Sequence, residues 1–240
     1  MPVFRLLQAR HADDPVRQEE CVSFAARLGV PLEAVLPFDL LAGDCTAERA
    51  QEGVDAVLVG GSGKFSIYDA ETWLVPFIDT LGALAEADVP MFASCFGFQG
   101  LVMALGGEVV NDEANAEVGT FELTLTDDAA ADPLFGHLPR SFPAQLGHKD
   151  RATRLPEGAT LLASSARCPY QALRYGQNVY ATQFHPELDR DDNRFRFSRY
   201  LDDYAKVFGR DEAQHMLDSF QPTPDADGLL AGFLQLAWNR

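Results

Sequence analysis

Through its first 107 residues the chain alternates between short apolar runs and segments of helical periodicity, and few folds accept that order. Met1 to Leu7 reads as a first buried strand. Val16 to Leu28 follows with apolar residues at Val16, Cys21, Phe24, Ala25 and Leu28, a helical stripe stopped by Gly29. Glu33 to Phe38 supplies a second strand and Thr46 to Glu52 a short helix. Val54 to Val59 is a third strand, running into Gly60-Gly61-Ser62-Gly63. Glu71 to Glu86 is helical, with Pro76 predicting either a kink or an early start. Val89 to Ser94 is a short buried strand, and Phe98 to Leu105 a helix closed by Gly106-Gly107. Strands and helices in this order build right-handed βαβ units, so an α/β fold on a mostly parallel sheet is expected.

The second half changes character. Thr120 to Leu125, Thr160 to Ser164, Gln171 to Tyr175 and Asn178 to Phe184 are β-rich, and Tyr175-Gly176-Gln177-Asn178 has the composition of a hairpin turn. These predict an antiparallel extension or flap on the parallel sheet. From Asp189 the pattern is helical, with Phe197, Tyr200, Leu201, Tyr204, Val207 and Phe208 on one apolar face. Pro222 and Pro224 interrupt it before a last amphipathic helix, Leu229 to Trp238. The expected organisation is one domain over residues 1–188, with a helical tail over 189–240 packed on it.

The segment richest in chemistry is Ser94-Cys95-Phe96-Gly97-Phe98-Gln99-Gly100, set between a buried strand and a helix. In α/β folds the site lies at the carboxyl ends of the strands, and a sharp strand-to-helix turn there holds one side chain out for reaction. Gly97 eases the turn by removing a Cβ, and the helix N-terminus favours a thiolate at Cys95. A thiol nucleophile needs a base, and the base an orienting acceptor. Gln183-Phe184-His185-Pro186-Glu187 offers both: in an extended chain, residues two apart point the same way, and Pro186 stiffens the link. Gly60 and Gly61, at a strand end, can aim backbone N–H groups at an oxyanion, with the N–H of Phe96 as a second donor. The same glycines could instead cradle phosphate or simply turn the chain; they lack the P-loop spacing, since Lys64 does not follow the required glycine.

Other features bound the function class. A formal net charge of −17 argues against a nucleic-acid backbone as partner. No apolar run is long enough to span a membrane, and the first residues lack a secretory leader, so a cytoplasmic location is expected. Cys21, Cys45, Cys95 and Cys168 form no CxxC pair, which supports neither zinc spacing nor a disulfide framework. No metal and no cofactor are expected. His11, His137 and His215 read as surface residues, Cys168 as core, and Phe195, Phe197, Tyr200 and Tyr204 as helix-packing aromatics.

Taken in order, these motifs resemble the class I, triad-type glutamine amidotransferases. Cys95, Gly97 and Gln99 match the family's Cys-x-Gly-x-Gln elbow; His185, Pro186 and Glu187 match its His-Pro-Glu. Gly60 and Gly61 match its Gly-Gly-Pro oxyanion loop, with Ser62 in the proline position. His148-Lys149-Asp150 is similar to its Ser-His-Gly-Asp segment beside the glutamine pocket, departing at Gly147 and Lys149. Over residues 1–188 the resemblance implies a flavodoxin-like sheet and a γ-glutamyl thioester on Cys95. It further implies an oxyanion held by Gly61 and Phe96, and substrate contacts from Gln99, Gly60 and His148. Because about fifty residues follow His-Pro-Glu, too few for a synthetase domain, the arrangement looks like stand-alone proteins related to the amidotransferase domain of GMP synthetase. The implied substrate is glutamine or a γ-glutamyl compound, and the implied partner is a separate synthetase that would accept ammonia. A γ-glutamyl peptidase would use the same three residues, and a catalytically idle metabolite-binding or regulatory module would keep the fold alone.

Overall fold

A computed structural model describes residues 1–238. The alternating half of the chain folds as β1 (Phe4–Gln8), α1 (Val16–Leu28), β2 (Val35–Asp39), α2 (Ala47–Gln51), β3 (Ala56–Val59), α3 (Leu74–Glu86), β4 (Met91–Ser94) and α4 (Phe96–Ala104). Helix α1 has the bounds its apolar stripe predicts, and Gly29 ends it in the left-handed region at φ +70°, where a side chain would be strained. Helix α3 begins at Leu74, three residues later than expected, which puts Pro76 in its first turn, where a missing N–H leaves no bond unmade and no kink is needed.

The second half contributes β5 (Glu108–Asn111), β6 (Glu117–Leu125), β7 (Ser141–His148), β8 (Asp150–Arg154), β9 (Thr160–Ser165), β10 (Ala172–Tyr175) and β11 (Val179–Thr182). Among the described residues one nine-stranded sheet has the order β2-β1-β3-β4-β11-β10-β9-β6-β7. Strands β2, β1, β3, β4 and β11 are parallel, the 2-1-3-4-5 order of flavodoxin-like folds. The remaining four are antiparallel and extend that sheet, as the β-rich second half predicts. Strand β7 has little strand signal, carrying Pro143 and Gly147, yet it pairs along β6 from Glu117↔His148 to Thr124↔Ser141. Pro143 is tolerated because β7 is an edge strand. Strands β5 and β8 form a separate two-stranded sheet that alternation does not reveal.

Helices α5 (Arg190–Arg199), α6 (Leu201–Phe208), α7 (Arg210–Ser219), α8 (Pro224–Asp227) and α9 (Leu229–Trp238) complete the chain. The helix expected across Phe197 to Phe208 is divided into α5 and α6 by a break at Tyr200; the side chains of Val207 and Phe208 lie outside the described residues. Phe195 departs from its packing role: it is 44% exposed, with the Arg199 guanidinium 4.5 Å above its ring.

Two apolar layers sandwich the sheet. Phe4, Leu6, Phe24, Phe92 and Tyr180 share one with Phe233 of α9, whose ring lies 5.5 Å from Phe92 and 6.3 Å from Tyr180. Leu7, Val57, Val59, Ala93 and Leu173 share the other with Phe77 and Leu101 of α3 and α4. Strands covered on both faces lose the polar alternation of a half-exposed strand, which is why β3 and β4 read as continuous apolar runs.

Candidate functional site

Strands β3, β4 and β11 end side by side, with Thr182 paired to Ser94, and the candidate residues follow those ends. Cys95 takes the whole reversal between β4 and α4 at φ +53°, ψ −102°, a conformation a side chain rarely adopts. Its N–H donates to the Thr182 carbonyl at 2.7 Å, so the neighbouring strand helps hold it there. The strain falls on Cys95 and not on Gly97, whose φ is not positive. Gly97 is needed for another reason: a Cβ there would stand 2.7 Å from Cβ of Val59, so only glycine lets α4 press onto β3. Helix α4 begins at Phe96, two residues earlier than its periodicity suggests, and Cys95 is its N-cap. The positive end of the helix dipole therefore lies at Cys95.

His185 and Glu187 follow β11 in a turn rather than an extended strand, with the Leu188 N–H donating to the His185 carbonyl at 3.3 Å. The turn converges the two side chains as the expected extension would have done: His185 Nδ1 and Glu187 Oε1 are 2.6 Å apart. Cys95 is the other charged group acting on the imidazole, and both lie against Gly61. Burial disfavours a charged imidazole, but the charges of Glu187 and of a Cys95 thiolate outweigh it and push His185 up to about 10. Burial likewise opposes an ionised Glu187; His185, and then Arg196, hold it below the usual carboxylate range. Cys95 and His185 are each 8% exposed and Glu187 is fully buried, so this linkage runs inward from the surface.

The glycine loop closes over the pair. A Cβ at Gly61 would lie 3.1 Å from His185 Cε1 and 4.0 Å from Cys95 Cβ, so the loop backbone reaches the sulfur because Gly61 is bare. Gly60 rests against Glu20, which takes a bidentate pair of bonds from Arg10 at 3.1 and 2.9 Å. Phe96 is buried and stacks on Phe77, ring centres 5.4 Å apart, which leaves its backbone as the part that borders Cys95.

Gln99 and His148 meet on one carbonyl. Gln99 Nε2 donates to the Asp150 carbonyl at 2.8 Å, and His148 Nδ1 faces the same oxygen at 3.1 Å. His148 Nε2 is 3.2 Å from Glu117, so both ring nitrogens bond within the fold. The Asp150 carboxylate accepts from Ser66 and Asn111, each at 2.6 Å, tying the segment after the glycine loop to β5. Among the described residues, Glu117, His148 and Cys168 are the group whose potential metal-ligating atoms converge, all within 4.8 Å. Those atoms are engaged in hydrogen bonds: Glu117 also accepts from Ser165 at 2.7 Å and Gln171 at 2.6 Å. Sequence reasoning missed Arg196, which lies behind Glu187, and Glu117, which anchors His148. Neither carries a local motif, and no local pattern in the sequence marks either as buried.

The class-I glutamine amidotransferase profile matches residues 33–198. The chain is 32% identical over 151 residues to a glutamine-hydrolysing GMP synthase of Thermosipho africanus, covering 62% of this chain and 28% of that protein. It is 33% identical over 125 residues to one of the subunits of the glutamine-hydrolysing GMP synthase of Methanocaldococcus jannaschii, 52% of this chain and 63% of that one. The chain thus spans under a third of the first relative and under two thirds of the second. In fold it is similar to a glutamine amidotransferase from Thermotoga maritima, with TM-score 0.75, 20% identity and 99% of both chains covered. The chain belongs to the class-I glutamine amidotransferase family.

Proposed function

From that membership we propose that Cys95, His185 and Glu187 act as a triad that hydrolyses the γ-amide of glutamine. The observation that supports it best is the convergence of a strained cysteine at a helix N-terminus with a buried histidine 2.6 Å from a carboxylate. His185 takes the thiol proton, and the sulfur attacks the γ-carbonyl carbon. The resulting oxyanion is met by N–H groups of Gly61 and Phe96, while His185 returns the proton to the leaving nitrogen. Ammonia departs and a γ-glutamyl thioester remains on Cys95. Water, deprotonated by His185, attacks the thioester; glutamate leaves and the thiol is restored. Gln99 and His148 support the substrate pocket through the Asp150 carbonyl that both contact. Residues 1–188 form the catalytic unit, and the helices from 189 pack on it as part of the same domain. The ammonia is destined for a synthetase partner.

Glutamate release from glutamine and from a panel of γ-glutamyl peptides, with Cys95→Ala as control, tests the proposal. Glutamate from free glutamine that is lost in Cys95→Ala is the expected result. Release from peptides alone would replace the amidase with a peptidase. Neither turnover nor a covalent adduct with a glutamine-like electrophile would leave a non-catalytic module.

A further inference from the structure

We propose that Arg196 is a positioning residue: its guanidinium, set behind Glu187, fixes the His185–Glu187 pair and governs the pH range over which Cys95 reacts. The inference rests on the triad reading above. Arg196 is 7% exposed and comes from α5, in the C-terminal segment, yet its Nη1 lies 3.8 Å from Glu187 Oε1. The same fork places Nε 3.5 Å from Glu19 Oε1 and Nη2 3.5 Å from Ser23 Oγ, both on α1. The helix that carries it is anchored. Asp189 caps α5 in a reciprocal box with Asp192, and Arg27 of α1 reaches both carboxylates at 2.6 and 3.4 Å. Arg196, two turns further on, is thereby aimed inward.

The chemistry explains why a guanidinium belongs there. Glu187 is fully buried, and among the described residues no donor reaches its Oε2. A buried carboxylate bonded only through Oε1 needs compensating charge beyond His185, whose own charge changes during a reaction cycle. Arginine supplies a cation that does not titrate, in a planar fork able to touch two carboxylates and a hydroxyl together. Glu19 competes for that cation: burial raises its carboxyl and Arg196 pulls it back down. Asp192 of α5 and Arg10, just past β1, also act on Glu19, the first raising it and the second lowering it. The phenols on this side, Tyr200 toward Arg196 and Tyr204 toward Cys95, are both raised, Tyr204 by burial to about 12, so they stay neutral around neutral pH.

Removing a positive charge makes every nearby protonation easier, and removing a negative charge makes it harder, so two substitutions must act in opposite directions. The test follows iodoacetamide alkylation of Cys95, assigned by mass spectrometry, against pH in the full chain, alongside glutamate release. Arg196→Met is expected to move both limbs of the profile up by about one pH unit, and Glu19→Gln to move them down by about half a unit. Arg196→Lys, which keeps the charge, is expected to keep the wild-type profile. Superimposed profiles for Arg196→Met and wild type, or shifts of the same sign in Arg196→Met and Glu19→Gln, would overturn the proposal. Should Arg196→Met not fold, Glu19→Gln decides alone, since an unshifted profile there removes the coupling. Alkylation needs no glutamine chemistry. A wild-type protein that alkylates with such a profile but releases no glutamate sinks the amidase reading and leaves the role of Arg196 to be judged on the shifts.

Discussion

The protein holds two buried trios of the same residue types, Cys95–His185–Glu187 and Cys168–His148–Glu117, and their order in space differs. In the first, the imidazole stands between thiol and carboxylate. In the second, the carboxylate stands between: Glu117 bonds His148 at 3.2 Å and its charge bears on Cys168. Burial, and then that charge, push the Cys168 thiol up to about 12. A thiolate forms beside a cation and not beside a carboxylate, so the second trio holds protons that the first can move. Backbone geometry separates them too. Cys95 caps a helix at φ +53°, whereas Cys168 sits in a turn with its N–H bonded to Ser165 Oγ at 2.9 Å.

The hardest test is to remove each sulfur. Cys95→Ala is expected to lower glutamine turnover by about a thousandfold or more, and Cys168→Ala to leave it within about twofold, measured as glutamate release. Comparable losses from the two would erase the distinction.

The carboxylates come next. Glu187→Gln keeps the shape but leaves His185 without its orienting charge, with an expected loss in kcat of about a hundredfold to ten-thousandfold. Glu117→Gln is expected to cost stability and little kcat. The pH dependence of stability distinguishes them further. His185 is raised from 6.5 to about 10, so its contribution is whole below pH 6.5 and lost as pH rises through 10. Glu187 is lowered from 4.5, so its contribution is present above pH 4.5 and lost as pH falls through its depressed value. The Tm gap between wild type and Glu187→Gln should therefore be widest between about pH 4.5 and 6.5 and narrow toward pH 10. A gap independent of pH would mean that the pair carries no net charge coupling.

The first trio was legible in the sequence because its parts sit on local signals: a strand-to-helix turn at Cys95, a proline between His185 and Glu187, glycines at the end of β3. The second was not. His148 was legible as part of a segment, but its partner Glu117 lies 31 residues away, across the β6–β7 pairing. Strand β7 itself has little apolar alternation, so the register that brings Glu117 opposite His148 could not be read. Arg196 shows the same limit from another side. Its sequence neighbours, Arg194, Phe195 and Phe197, suggest an ordinary amphipathic helix, and only the docking of α5 on α1 turns that arginine toward Glu187. The parallel core was legible because strand and helix periods differ; long-range polar pairing has no period.

The smallest effect expected comes from the glycine nearest each histidine. Gly61 has no room: an added Cβ would come within 3.1 Å of His185 Cε1, tighter than ordinary contact, and the imidazole must shift by a few tenths of an ångström. Gly147, beside His148 on the edge strand, has nothing within 4 Å of where its Cβ would stand, and its φ is not positive. Gly61→Ala should thus lower kcat by about tenfold while moving Tm little, because it displaces a base by a distance that matters to proton transfer and not to packing. Gly147→Ala should leave kcat and Tm near wild type, as an exposed glycine with an ordinary backbone gains a methyl at no steric cost. Were Gly61→Ala fully active, the loop would have slack at His185, and the oxyanion role given to the Gly61 N–H would lose its geometric support.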